Sequence, residues 1–340
     1  MTTGSSLIKG SSSLFGIKTK LQFGKLTATA LVSQQNAESK TVSTRGGAQT
    51  TSFSINADSY DANRHFFLGH FFRNHYDEYC AKLPLVSSGI NITRIEVWIT
   101  NKRGNFEQAR NLVGFMDLGE SGNLNNSHWI PNPAMENPSN ISNNLLSEIT
   151  SQYPDARYIN QATSVLSPLS AYGIEGGQDY EKVESARLLS ASEYTLNSSL
   201  GYISLKSALN ADEVLAVAYQ YTYRGQTYQV GEFSGDIAST EQSLFVKMLK
   251  STTVSPKTPM WKLMMKNVYS LGAYQVQKSN FKLNIKYLSD TTGTEISYLP
   301  AGAISGTPIL QVMNLDNIDS NNNSGADGRF DFIDGYTIYP

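Results

Sequence analysis

Residues 186–233 read ARLLSASEYTLNSSLGYISLKSALNADEVLAVAYQYTYRGQTYQVGEF. Within this stretch ARLLSASEYTL, GYISLKSAL, EVLAVAYQYTY and QTYQVGEF are rich in β-branched and aromatic residues. They are parted by turn formers at Ser198 to Gly201, at Asn210-Ala211-Asp212 and at Arg224-Gly225. Short runs of β-formers at this spacing, bounded by Asn, Asp, Ser and Gly, predict an antiparallel sheet or sandwich.

Working toward the N-terminus, residues 14–35, LFGIKTKLQFGKLTATALVSQQ, set Phe15, Ile17, Leu21 and Phe23 in alternation with Gly16, Lys18, Lys20 and Gln22. Past Gly24-Lys25 the same parity resumes in Leu26, Ala28, Ala30 and Val32, with Leu31 breaking it. A two-residue turn there sets Phe23 against Leu26, Leu21 against Ala28, Thr19 against Ala30 and Ile17 against Val32, one apolar face throughout. Each arm has the length of a tilted outer-membrane strand, and the pattern fits an amphipathic hairpin of a soluble sandwich equally well.

Between these ends the texture is mixed. Residues 36–57 are polar, with Thr51 to Ile55 as a short strand. Asp58 or Ser59 is placed to cap a helix through NRHFFLGHFFRNHYDEYCAKL that stops before Pro84. INITRIEVWIT, residues 90–100, reads as a strand covered on both faces, Phe106 to Leu112 as a short helix, and Val113 to Leu118 as a strand. A loop rich in Asn, Ser, Gly and Pro over 119–143 precedes helical spacing at Asn143 to Ser151 and Asp155 to Leu166. Near the C-terminus FKLNIKYL, with Phe281, Leu283, Ile285 and Tyr287 on one face, and PILQVMNL read as further strands. The expected fold is therefore α+β and mainly β, antiparallel sheets or a sandwich with a few helices, preceded by the amphipathic β-hairpin. Three segments are expected: the hairpin at 1–35, an α+β domain at 36–178 and a sandwich-like domain at 179–340.

Composition narrows the function classes. The 340 residues carry 27 Lys and Arg against 29 Asp and Glu, so no nucleic-acid partner is indicated. The single cysteine, Cys80, excludes an internal disulfide and lies in an aromatic helix as a structural thiol. No window has the apolar length of a membrane helix, and the first twenty residues hold no signal-peptide core. The closing Gly335 to Pro340 reads as an interrupted strand, and the chain is expected to be an internal fragment.

Candidate chemistry is sparse. His65, His70 and His75 are five apart, about 140° per step on a helix, so they cannot converge on one ion. Asp316, Asp319, Asn321, Asn323 and Asp327 place hard oxygen donors on one loop, the chemistry calcium takes, with Asp331 just beyond them. Counting from Asp319, however, puts Ser324 and Phe330 where an EF-hand needs Gly and Glu, so a solvated Asx-rich turn is the alternative. No nucleophile elbow, Walker loop or dinucleotide fingerprint occurs. Carboxylate pairs such as Asp117 with Glu120 are not paired by sequence alone. No catalytic residue and no cofactor other than that calcium is expected.

Long strings in one order carry a resemblance. LQFGKLTATALVSQQ, AESKT, GGAQT, YDANRHFFLGHFFRNHYDEYCAKLP, INITRIEVWITNKRGN and NLVGFMDLGE are followed by LGYISLKSALNADEVLAVAYQYTYRGQTYQVGEFS. Further on come WKLMMKNVYSLGAYQVQKSNFKLNIKY, LPAGAISGTPILQVMNLD and DGRFDF. These resemble the SprA/Sov family, the outer-membrane translocon of type IX secretion in gliding bacteria. The resemblance implies a very large β-barrel with inserted domains, no catalytic residues, and as partners secreted cargo and other outer-membrane components of the secretion system. The chain is much shorter than such a channel. On this reading residues 15–33 meet the outer membrane, the Gly24-Lys25 turn is periplasmic, and residues 36–340 form an extracellular cap or insertion. The competing expectation is a β-sandwich surface module that binds glycan or protein through exposed Trp98, Trp129 or Trp261.

Overall fold

In a computed structural model of the chain, residues 15–23, 26–34, 42–45, 48–104, 106–131, 135–273 and 275–339 are described, those up to 51 by backbone pairing alone. Compactness divides the chain into one unit of residues 1–59 and another of residues 60–340. The first holds strands β1 (Phe15–Phe23), β2 (Leu26–Gln34), β3 (Val42–Arg45) and β4 (Ala48–Thr51). β1 and β2 pair antiparallel, Phe23 opposite Leu26, Leu21 opposite Ala28 and Ile17 opposite Val32. β3 and β4 form a second antiparallel pair. The Gly24-Lys25 turn and the apolar face of the hairpin lie outside what is described.

The second unit contains β5 (His65–Phe67), α1 (His70–Tyr79), β6 (Ile90–Ile99), β7 (Arg110–Phe115), α2 (Leu145–Gln152) and α3 (Ile159–Leu166). Then follow β8 (Tyr180–Leu188), β9 (Tyr194–Asn197), β10 (Tyr202–Leu205), β11 (Leu215–Tyr223), β12 (Gln226–Val230) and β13 (Leu244–Lys250). Small elements close the unit: β14 (Tyr287–Leu288), β15 (Glu295–Ile296) and α4 (Ile309–Val312).

β11 organises the main sheet, whose order is β12-β11-β13-β7-β8-β6 with a further pairing of β6 to β11. One edge of β11 pairs with β6 along its length, Leu215 opposite Ile99 through Tyr223 opposite Ile90. The other edge is shared, Leu215–Val217 going to β13 and Tyr219–Tyr223 to β12. Since β6 also pairs with β8 at Trp98 and Ile99, strands β6, β11, β13, β7 and β8 close on one another. All these pairings are antiparallel except β13 with β7. The run Leu215–Tyr219 is buried without alternation because both its faces are covered. The β11–β12 hairpin turns in two residues, with Arg224 at φ 51° and Gly225 at φ 80°; two successive positive φ values match the right-handed twist of the strands.

A smaller sheet runs β5-β10-β9, and its β9–β10 turn ends on Gly201 at φ +65°. Gly201 O accepts from Leu68 N at 3.0 Å, which brings the turn under α1. Phe72, fully buried, packs there edge-on to Tyr219 and Tyr221 at 5.8 and 5.5 Å. α3 lies on β7 and β8.

Several sequence expectations are corrected. The helix expected across 60–83 begins only at His70, because His65–Phe67 is taken by the ladder with β10. Residues 110–115 form β7, not the end of a helix: Arg110 is drawn into the sheet, where its guanidinium donates to the carbonyls of Ser234 and Ser239 at 2.9 and 3.0 Å. Ile309–Val312 in PILQVMNL is a helical turn, and in FKLNIKYL only Tyr287 and Leu288 join a ladder. The division near residue 178 falls inside one sheet, since β6 and β7 precede it and β8, β11 and β13 follow it. The compact boundary lies at 59/60 instead. The mainly β, α+β class stands.

Gly201 gives a direct test of the turn. A Cβ there would fall on the Phe72 ring, in a conformation that already disfavours L-side chains. Gly201→Ala is expected to lower stability by about 2–4 kcal/mol in urea unfolding, whereas Gly225→Ala, with open space around it, is expected to cost about 1–2 kcal/mol from backbone strain alone.

Candidate functional site

The loop singled out as a calcium candidate is built as nested Asx turns. Asp316, 1% exposed, accepts at Oδ1 from Asp327 N at 2.9 Å and at Oδ2 from Gly328 N at 3.1 Å and Gln311 Nε2 at 3.2 Å. Asp319 instead points outward and accepts at Oδ1 from Asn321 N and Asn323 N, both at 2.8 Å. Asp327 Oδ1 takes Arg329 N at 3.0 Å. The amide donors hold the Asp319 carboxyl below its usual range. The carboxylates thus accept from N–H groups of their own loop and its flank. Among the described residues no three His, Cys, Asp or Glu side chains gather as a metal site.

The three histidines go to three environments. His65 sits opposite Ser204 in the β5–β10 ladder, its Nδ1 2.8 Å from Ser204 Oγ and its Nε2 3.2 Å from Asp61 Oδ2. Burial lowers the His65 pKa, opposed by the Asp61 carboxylate. This cross-strand chain continues to Arg64, 2.9 Å from Asp61, and ties the residues before β5 to β10. Ser204 lines neither of the two cavities described below. His75 Nδ1–H donates to the Phe71 carbonyl, 2.8 Å away, and the ring stacks on Tyr79. Cys80 is half-buried, and burial first of all pushes its thiol up to about 11, which leaves it unreactive.

His70 belongs to the arrangement that sequence reading missed. Glu120, 3% exposed, lies 2.8 Å from Lys247 Nζ and 3.0 Å from His70 Nδ1; both partners are 1% exposed. His70 Nδ1 faces Glu120, while Nε2–H donates to the Pro259 carbonyl at 2.9 Å. Glu120 Oε1 also accepts from His70 N at 3.3 Å, a carboxylate at the first turn of α1. Lys247 Nζ donates in addition to the Met116 carbonyl. Burial pushes the Glu120 carboxyl up, but Lys247 and then His70 outweigh it and hold it at about 2.

The loop that delivers Glu120 is fixed residue by residue. Asp117 accepts from Asn125 N at 2.8 Å and Asn126 N at 3.0 Å, and its burial still raises its pKa to about 6. Asn143 Nδ2 donates to the carbonyls of Asp117 and Glu120 at 2.7 and 2.8 Å. Gly119, at φ +75°, lies where a Cβ would be 2.7 Å from Val230. A cavity of about 230 Å³ opens beside this loop, lined by Glu120, Ser121, Asn74, His75, Glu136 and Pro138 among others. A second, of about 20 Å³, lies between Asn63, Trp261 and Met264. Of the tryptophans, Trp98 and Trp129 are 1% exposed, and Trp261 lies under Lys266 Nζ at 4.5 Å.

The buried charges tie α1, the loop after β7 and β13 to one another. A family model described as motility related/secretion protein matches residues 2–227, more than half of the chain. The chain belongs to the SprA N-terminal family, and is a motility and secretion protein by that membership. No curated protein matches it. Among the described residues no helix is long and apolar enough to cross a membrane.

The Glu120 cluster makes stability depend on pH with a definite sign. With a native pKa of about 2 against an ordinary 4.5, Glu120 stabilises fully at neutral pH and loses that contribution as pH falls through this window. Asp117, raised from 3.8 to about 6, acts oppositely, its contribution declining as pH rises between those values. Glu120→Gln is expected to cost about 3–5 kcal/mol at pH 7, since Lys247 is left buried without a counter-charge. The same variant should flatten the acid limb of urea midpoints measured against pH.

Proposed function

We propose that this chain is a structural and interaction segment of an outer-membrane protein-secretion channel supporting type IX secretion and gliding motility. The observation that carries the reading is the family match over residues 2–227, whose span reaches past β11. It takes in the β1–β2 pair and most of the sheet-forming part of the second unit, so that both belong to one secretion-family segment. The strands of that pair are nine residues each, the length that crosses a bilayer when tilted.

On this reading β1 and β2 are neighbouring strands of the barrel wall and the chain after Gln35 is inserted on the long-loop side. Bacterial barrels keep periplasmic turns short and place long insertions outside the cell. Residues 36–340 then form an extracellular cap or insertion, in contact with secreted cargo and with other outer-membrane components of the system. The mutually paired strands of the second unit suit a passive wall or lid. The alternative of a glycan-binding module has less support, because two of the three tryptophans offered for it are in the core.

The test is accessibility on intact cells. A protease site or epitope tag inserted at Gly293, an exposed turn between β14 and β15, is expected to be cut or labelled without permeabilising the outer membrane. Protection that lasts until permeabilisation would place the segment on the periplasmic side and overturn the cap.

A further inference from the structure

Residues 281–288, FKLNIKYL, alternate as a strand does, although only Tyr287 and Leu288 belong to a ladder. Burial alternates along it: Phe281, Leu283, Ile285 and Tyr287 are half-buried, and Lys282, Asn284, Lys286 and Leu288 are exposed. Alternation with period two is the signature of an extended chain lying with one face on the protein. The inner face is anchored, since the Phe281 ring packs edge-on to Phe330 and Phe332 at 5.4 and 5.7 Å. Only Tyr287 and Leu288 are paired, with Ile296 and Glu295. Among the described residues Lys282, Leu283, Asn284 and Ile285 make no backbone hydrogen bond to another backbone group.

A strand with a seated face and vacant N–H and C=O groups is a template for an added strand. The outer face selects the occupant. Lys282 and Lys286 stand on it four residues apart; Lys286 reaches the exposed Glu295 at 2.6 Å, and Lys282 has no ion-pair partner among the described residues. A second copy of this segment is disfavoured, because antiparallel self-pairing centred on Asn284 puts Lys282 opposite Lys286 at both ends, and like charges directly opposed destabilise a ladder. An extended chain carrying carboxylates at the matching spacing has no such conflict.

We propose that residues 281–286 are a strand-addition site that takes an extended, acidic segment of a partner polypeptide, its backbone completing the ladder and its carboxylates meeting Lys282 and Lys286. The assignment stands on this geometry and does not depend on which side of the membrane the unit occupies.

The experiment titrates the full chain with a blocked peptide of alternating valine and threonine in which two glutamates stand four residues apart, read by fluorescence anisotropy. Saturable binding is expected, weakened by about tenfold or more when alternate peptide amides are methylated, and likewise by Lys282→Glu with Lys286→Glu. Asn284→Pro is expected to abolish binding with little change in melting temperature, because the amide it removes has no backbone partner in the chain. A peptide with lysines for glutamates should bind the charge-reversed chain better than the original. Absence of saturable binding, or binding indifferent to both amide methylation and charge reversal, overturns the proposal. Self-association of the chain through 281–286, seen as a dimer that Asn284→Pro dissolves, would assign the edge to a second copy and overturn the acidic partner.

Discussion

Burial opposes the Glu120 carboxylate, and Lys247, buried with it, holds it as an anion; that pairing constrains three distant parts of the chain. His70 comes from the first residue of α1, Glu120 from the loop after β7, and Lys247 from the middle of β13. Each is useless to the others unless α1 lies across the sheet and β13 lies beside β7. Hydrophobic burial near this point is generous, with Phe72, Tyr219 and Phe245 all at most 1% exposed, but apolar contact tolerates many arrangements. The ion cluster tolerates few, because any displacement leaves a charge buried without its partner. The same logic recurs more mildly where Arg157 grips Glu232 through two contacts of 2.9 and 2.6 Å and lies over the Phe245 ring.

What the sequence disclosed was set by how local the determining physics is. The β11–β12 hairpin was legible because Arg224-Gly225 and the flanking Tyr, Val and Thr residues settle it within a dozen positions. α2 and α3 were legible from apolar spacing and from Pro154 between them. The start of α1 was not, since FLGHFF satisfies a helical stripe and only the arrival of β10 converts His65–Phe67 to strand. Arg110 carried no signal for the same reason: its partners at 234–242 lie across the sheet. The closure of the sheet depends on β6 meeting both β8 and β11, a relation that no window of sequence contains.

The candidate site divides along the same line. The Asp316–Asp331 loop announces itself by composition, yet its carboxylates serve nearby amides. The Glu120 cluster was hidden because Asp117 and Glu120 looked like one more pair of acids, with Lys247 far away in an apolar strand. In hindsight the string NLVGFMDLGE holds the whole delivery device: Asp117 ties the loop, Gly119 lets it pass Val230, and Glu120 reaches Lys247. FLGHFF holds His70. These are among the strings on which the family resemblance rests, so what they specify is a scaffold more than a reaction.

The parallel pairing of β7 with β13 has a further consequence for the order in which the protein can form. Leu112 and Leu244 are direct partners, and the residues between them supply β8 to β12. A contact of such sequence separation is reached late, after the entropy of closing a long loop has been met by few earlier gains. While the chain emerges from its N-terminal end, Glu120 waits without Lys247 and the β7 edge stays open. The second unit therefore cannot acquire its native sheet until residue 250 is available.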